Sequence, residues 1–313
     1  MIYTNYLINL LFIVFSITCL SCSRSIMHDS INMDWKISSK NKNVNIVLYE
    51  GYNPRVPLRA WTVLIPSKNN KIEILVSNDE DGVETPSEIA INRKASVVIN
   101  GGYFARGQTP MRHIGLLKSK NILIEPASNS VFRDDIRYNV NRGAFGIMND
   151  NSVDISWAST RNDSIFSWNF PFSNRPGKPA SVNYNFSEFW DVKEAVHAGP
   201  VLMRSGRINV STEQEVFFNT PVDGVQPRSA IGYKKNGDVV MMVVDGRQVD
   251  SRGVYLKELA MLMSQFDCVE AINLDGGGSS SLVVNGKLVN RPIGLNNERE
   301  VMSFIAAISD DRN

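Results

Sequence analysis

The sequence predicts an α+β fold: a mixed, largely antiparallel sheet with a few packed helices and a site at glycine-rich strand ends. Three observations carry this. Short runs rich in β-branched and aromatic residues recur along the chain, bounded by Asn, Pro, Ser or Lys. Asn-Gly pairs separate two couples of such runs, a strong hairpin signal. Helical spacing or capping is confined to few segments, so strands dominate. With 313 residues, 43% of them hydrophobic, the chain can bury one large core or two small ones.

The first charged side chain is Arg24. Before it, Leu7 to Leu20 is almost wholly apolar, which suits a signal h-region and falls short of the roughly 20 residues of a membrane span. Leu20-Ser21-Cys22-Ser23 follows, and a small residue before cysteine at the end of an h-region looks like a bacterial lipoprotein cleavage site. Cys22 is then the lipidated residue, although Cys19 stands where a Leu is usual and the n-region has no Lys or Arg. A plain membrane anchor and a plain secretory signal are the alternatives. The expected address is the bacterial cell envelope, at the outer membrane or cell surface, with membrane contact through the lipid alone. Cys268 is the only cysteine beyond this leader. It has no disulfide partner and reads as a buried inert thiol.

The expected organisation is a leader over 1–22, a polar tether over 23–41 and a single domain over 42–311. Strands are predicted for Val44 to Leu48, Ala60 to Ile65 and Ile72 to Val76. A short helix follows from Pro86 to Arg93, with Thr85 as N-cap, Pro86 in the first helical position and Glu88 at the capping-box place. Ser96 to Asn100 is a buried strand. The stretch 150–193 is rich in Asn, Ser, Trp, Phe and Pro and reads as an elaborated loop region with room for short strands. Its Trp157, Trp168 and Trp190 suit core packing better than sugar stacking. Pro200 to Met203, Ser229 to Tyr233 and Val239 to Val244 are strands, the last two joined across Asn236-Gly237. Val254 to Phe266 has the spacing of an amphipathic helix. Ala271 to Leu274 is a buried strand, Ser281 to Val284 and Lys287 to Val289 form a hairpin across Asn285-Gly286, and Phe304 to Ile308 closes the sheet.

Charges nearly cancel, 33 basic against 32 acidic, so no basic field attracts nucleic acid. Chemistry concentrates in four glycine-containing segments: Asn100-Gly101-Gly102-Tyr103-Phe104, Pro227 to Gly232, Val244-Asp245-Gly246-Arg247 and Asn273 to Ser281. The last runs from a buried strand into Asp275, then Gly276-Gly277-Gly278, then Ser279-Ser280-Ser281. Three glycines in a row suit a tight turn or a close approach to a ligand, and successive N–H groups there can cup an anion. No Gly-Lys-Ser/Thr ends it, so it is not a P-loop, and no Gly-x-Ser-x-Gly elbow supports a serine nucleophile. Arg228 and Arg247 offer guanidinium forks that match a phosphate, or equally a structural carboxylate. Asp245 and Asp275 are the candidate working carboxylates. His197, before Gly199-Pro200, is a candidate binding residue or a structural one. With three histidines and no ligand cluster, no catalytic metal is expected; a structural Ca²⁺ held by Asp and backbone oxygen stays open.

Taken in order, these segments resemble the phosphodiester glycosidase family. The resemblance runs from about Val97 to Ile308 and rests on Asn100-Gly101-Gly102-x-Phe104, Gly199-Pro200 with Gly206, Arg228 to Gly232, Asp245-Gly246-Arg247, the second helix and Asn273 to Ser279. It implies hydrolysis of a sugar-1-phosphodiester at the glycosidic C–O bond, of the N-acetylglucosamine-1-phospho-sugar type, with no cofactor. Under that resemblance Asp275 is nucleophile or base and Asp245 the second carboxylate. Arg228 and Arg247 hold the phosphate, and Gly101, Gly102, His197, Ser229 and Ser279 complete the substrate-binding set. Asn100 and Asn273 bind sugar hydroxyls, and the N–H groups of Gly276 to Gly278 face the anion. Two other readings compete: a non-catalytic carbohydrate-binding envelope lipoprotein, and a phosphodiesterase cutting P–O, which would usually recruit metal.

Overall fold

Three large sheets and two two-stranded ribbons, Ser130–Arg133 with Ile136–Asn139 and Phe104–Ala105 with Arg112–His113, build the described residues. The computed structural model describes residues 31–41, 45–294 and 297–309. The leader and Cys22 lie outside the described residues. An eight-stranded sheet runs, edge to edge, through Asp34–Asn41, Ile46–Asn53, Leu58–Ile65, Val239–Val244, Arg228–Lys234, Cys268–Asn273, Val201–Arg204 and Arg207–Ile208. A seven-stranded sheet orders Ser187–Phe189, Ser164–Trp168, Val153–Arg161, Arg142–Met148, Val192–His197, Leu117–Ser119 and Ile122–Glu125. The third has five strands: Lys287–Leu288, Leu282–Val284, Val97–Asn100, Ser303–Ser309 and Asn70–Val76. Neighbouring strands pair antiparallel in all three, as in the Arg228–Lys234 and Val239–Val244 hairpin, where Arg228 faces Val244.

One apolar core joins the sheets. Val63, Ile231 and Ile272 from the first meet Phe145, Ile155 and Trp157 from the second and Ile74, Ile99 and Ile305 from the third. Burial of this contiguous surface is the main stabilising term. The helix Pro86–Asn92 covers the outer face of the five-stranded sheet, laying Ile89 and Ala90 on Val98, Val283 and Phe304. Its start is capped as the sequence predicts: Thr85 Oγ1 accepts from Glu88 N, and Glu88 Oε2 accepts from Thr85 N. The second helix, Leu256–Ser264, buries Leu259, Leu262 and Met263. No helix among the described residues is long and apolar enough to cross a membrane.

Two expectations are corrected. The compact unit begins at Asn32, and Asp34–Asn41, placed in a tether, is the edge strand of the large sheet. Its polar faces gave no alternation because both remain largely exposed. What fixes it is Trp35, which packs edge-on to Phe266 at 4.9 Å and donates from its indole N–H to Gln265 Oε1 at 2.8 Å. The stretch 150–193, expected as an elaborated loop with short strands at most, contains the nine-residue strand Val153–Arg161 and the strand Ser164–Trp168. Its three tryptophans are buried, as the core reading has them. Indole donors reach Glu215 from Trp157, Ser159 from Trp168 and Asp154 from Trp190.

Candidate functional site

Strand ends of the large and the five-stranded sheet meet at Asp275. The strand Val97–Asn100 runs into Gly101, whose carbonyl accepts Asp275 N at 3.0 Å. Asn100 Nδ2 donates to Asp275 O at 2.7 Å, while its Oδ1 accepts from Ser229 Oγ at 2.6 Å and Ser281 N at 3.2 Å. Asn100 is therefore a fully used, fully buried strut, not a sugar ligand. Asn273 is buried too, with its amide nitrogen engaged and its Oδ1 without a partner among the described residues. Its Nδ2 donates to Gly199 O, Leu274 O and the Tyr103 hydroxyl oxygen at 2.9, 2.8 and 3.0 Å. Ser229 is buried behind Asn100. Gly101 and Gly102 give room to the backbone: a Cβ on Gly102 would sit 2.0 Å from His197 O. His197 itself is buried with neither ring nitrogen hydrogen-bonded, and burial pushes it down to about 3. It is an interior residue.

The structure does bring Arg228, Arg247, Gly276, Gly277 and Gly278 together with Asp275 around one cleft lobe of about 170 Å³. Gly277 takes φ +64°, where an L side chain is strained. Gly278 has no room: a Cβ there would lie 2.3 Å from Arg299 Nη2. The expected triple N–H cup is reduced to one donor. Gly276 N donates to Asp275 Oδ1 and Gly277 N to Pro227 O, both at 2.9 Å, which leaves the Gly278 N–H without a partner among the described residues.

Asp275 itself is held at the cleft wall. Burial pushes its carboxyl up to about 6, against the pull of the Ser279 hydroxyl, the Gly276 N–H and the Arg299 and Arg106 guanidinia. It is thus mostly ionised at neutral pH, yet poorly solvated. Arg228 is buried, which lowers it to about 10, and it donates to Val222 O and Val254 O. Arg247 is exposed and tied to Gln226 Oε1.

Asp245 does not reach the cleft lining. Its Oδ1 accepts from Asn290 Nδ2 at 2.9 Å, and both oxygens accept from Arg291 N at 3.2 and 3.1 Å. The side chain is 1% exposed, and burial raises it to about 6. Its place at a strand end made it resemble Asp275, but the turn aims it into the protein to brace the 290s segment.

A second lobe of about 330 Å³ shares Tyr103, Val222, Asp275 and Arg299 with the first. Phe104, Phe217 and Ile114 give it apolar walls, and Arg106, Arg133 and Arg142 add charge. Of these only Phe104 stood in a segment singled out in the sequence; Arg299, which donates to Ser279 Oγ at 3.4 Å, did not. Tyr103 carried a weaker signal, as the undefined position inside the Asn100–Phe104 segment. Its hydroxyl donates to Gly199 O at 2.8 Å, and burial holds the phenol above its usual range. Beneath this lobe Glu215 accepts from Gly143 N, Trp157 Nε1, Val201 N and Ser211 Oγ at 2.8, 2.9, 2.8 and 2.6 Å. That fixes the segment presenting Phe217, over which the Arg142 guanidinium lies at 4.1 Å. No group of three or more His, Cys, Asp or Glu among the described residues can hold a metal ion.

The chain belongs to the phosphodiester glycosidase family, whose profile matches residues 93–308. Over 100 residues it is 38% identical to the bovine (Bos taurus) N-acetylglucosamine-1-phosphodiester alpha-N-acetylglucosaminidase, a stretch covering 29% of this chain and 19% of that protein. The human (Homo sapiens) protein of that name is 37% identical over 100 residues, with the same coverage. The match therefore spans about a fifth of these relatives' length. In fold, the zebrafish catalytic domain of that name, auto-inhibited by its pro-peptide, is similar at TM-score 0.58 and 22% identity, covering 88% of each chain.

Proposed function

We propose that the chain hydrolyses the glycosidic C–O bond of a sugar-1-phosphodiester of the N-acetylglucosamine-1-phospho-sugar type. It does so as a lipid-anchored protein of a bacterial cell envelope. The observation that carries the reaction is Asp275: an ionisable carboxylate, partly desolvated, at the junction of two lobes and beside guanidinia that form no ion pair among the described residues. The names of the relatives support the substrate class, and the apolar stretch before Cys22 supports the location.

A glycosyl transfer of this kind passes through an oxocarbenium-like state, which a carboxylate stabilises, attacks or serves by activating water. The C–O bond breaks with its electron pair leaving on the phosphate oxygen. Water supplies the hydroxyl at the anomeric carbon, and its remaining proton is released. A phosphate monoester with a second pKa near about 6 leaves without much protonation, so one carboxylate suffices. Arg247, Arg299 and Gly278 line the lobe where that charge develops, and interactions realised there lower the barrier.

The test is turnover of methyl N-acetylglucosamine-1-phosphodiester in ¹⁸O-water. Label in the released sugar with none in the phosphate product is expected. Label in phosphate would move the case to P–O cleavage, and binding without product would leave a carbohydrate-binding protein.

A further inference from the structure

The arginines of the cleft outnumber what one phosphodiester can use. Six line the two lobes, Arg106, Arg133, Arg142, Arg228, Arg247 and Arg299, and Asp275 is the only carboxylate among the lining residues. None of the six forms an ion pair among the described residues. They divide by lobe. In the glycine-turn lobe each guanidinium already has a neutral partner: backbone carbonyls for Arg228, Gln226 for Arg247 and Ser279 for Arg299.

In the second lobe the balance differs. Arg106 has no hydrogen bond among the described residues and only lies against the Phe104 ring at 5.7 Å. Arg133 has none either, and its Nε is buried without a partner. The neighbouring Asp134 is turned away and accepts from Asn219 at 2.8 Å. Arg142 is engaged by Glu215 O and stacked on Phe217, and Arg133 acts on it as a like charge. Guanidinia that converge on a cleft repel one another, and a buried N–H donor without a partner costs free energy until something fills it. An oxyanion that presents two oxygens to a guanidinium answers both.

We infer that the sugar seated in the second lobe carries an anionic group of its own, held by Arg106 and Arg133 while Phe104 and Phe217 wall the ring. This rests on the proposed hydrolysis and adds its substrate class: a diester whose sugar is acidic, through a ring carboxylate or a phosphate ester. The scissile phosphate then occupies the glycine-turn lobe, and Asp275 lies between the two anions where the anomeric carbon falls.

The experiment compares three methyl 1-phosphodiesters with the full chain: those of N-acetylglucosamine, of N-acetylglucosamine 6-phosphate and of glucuronic acid. At least one acidic sugar should exceed the neutral one about tenfold or more in kcat/KM, mostly through KM, given a charge-assisted pair. Whichever acidic sugar shows it identifies the source of the anion. Arg133→Gln and Arg106→Gln should pull that ratio toward one. Equal or better turnover of the neutral sugar by the wild type overturns the inference. So does a variant that weakens all three diesters alike, because Arg133 would then serve the scissile phosphate. If no diester is cleaved, calorimetry with N-acetylglucosamine 1-phosphate, N-acetylglucosamine 1,6-bisphosphate and glucuronic acid 1-phosphate separates the two ideas. An Arg133-dependent preference for an acidic sugar keeps the inference and sinks the hydrolysis; no preference sinks the inference.

Discussion

Two aspartates that look alike in the sequence do opposite things in the structure. Asp275 lines a cleft; Asp245 is 1% exposed and consumed by Asn290 and Arg291. Asp275→Asn should lower kcat/KM by on the order of 10³ or more. The variant should also resist urea better by about 1–2 kcal/mol at pH 7, because a desolvated charge is removed. In the wild type the kcat/KM profile should fall on the acid side near pH 6, as the carboxylate takes up its proton. An unshifted acid limb in a variant that remains active would place the base elsewhere. Asp245→Ala should instead cost about 2–3 kcal/mol in urea unfolding, since Asn290 and Arg291 are left as orphan donors. Its loss of turnover per folded molecule should be the smaller effect. The sequence showed Asp275 because three glycines and three serines around one Asp are unusual. It could not separate Asp245, whose context at a strand end is the same and whose aim is decided by the turn. Arg106, Arg133 and Arg299 are single arginines in patternless segments, visible as a group only once the sheets are assembled.

The glycines test what the turns do. Gly278→Ala puts a Cβ against the Arg299 guanidinium, the far end of a flexible side chain. It should cost less than about 1 kcal/mol in stability while lowering kcat/KM tenfold or more as Arg299 is displaced. Gly102→Ala meets the His197 carbonyl, which cannot swing away, and should destabilise by roughly 2–3 kcal/mol. Thermal melts and steady-state kinetics on the pair would check both; equal melting losses would show that the two turns are under the same constraint. Elements with a strong local signal were legible. The capped helix at Pro86–Asn92, the hairpin across Asn236-Gly237 and the strand Cys268–Asn273 all announce themselves by cap, turn or apolar run. Asp34–Asn41 and Val153–Arg161 were not legible, because their stability comes from partners distant in the chain: Phe266 for Trp35, Glu215 for Trp157.

At the scale of the whole molecule, burial pulls two sets of titrating groups in opposite directions. Asp245 and Asp275 rise to about 6, while His113 and His197 fall to about 4 and about 3. A raised aspartate keeps a proton in the folded chain that the unfolded chain has shed. Stability from it therefore falls as pH rises from about 4 to 6. A lowered histidine is neutral in the folded chain while the unfolded chain is protonated, so stability from it falls as pH drops below about 6.5. The advantage of Asp275→Asn over the wild type should accordingly be near zero at pH 4 and grow to its full size above pH 6. Urea midpoints across that range would show it, and a constant difference would mean that the carboxylate is not desolvated. The layered antiparallel class was readable from strand runs and hairpins, but three sheets sharing one core were not, since no local pattern says which strands become neighbours.

The two lobes of the cleft have different origins in the chain. The glycine-turn lobe is made largely at the ends of central strands, by Arg228, Arg247 and Asp275 to Gly278, whereas the second is made by Phe104, Arg106, Arg133, Arg142, Phe217 and Thr220, mostly from short edge hairpins and connecting segments. Inheritance can act on them separately. Exchange of a few connecting residues can reshape the second lobe while the carboxylate-bearing floor stays as it is, so relatives built on one such frame can differ in what they admit without rebuilding what lies beneath.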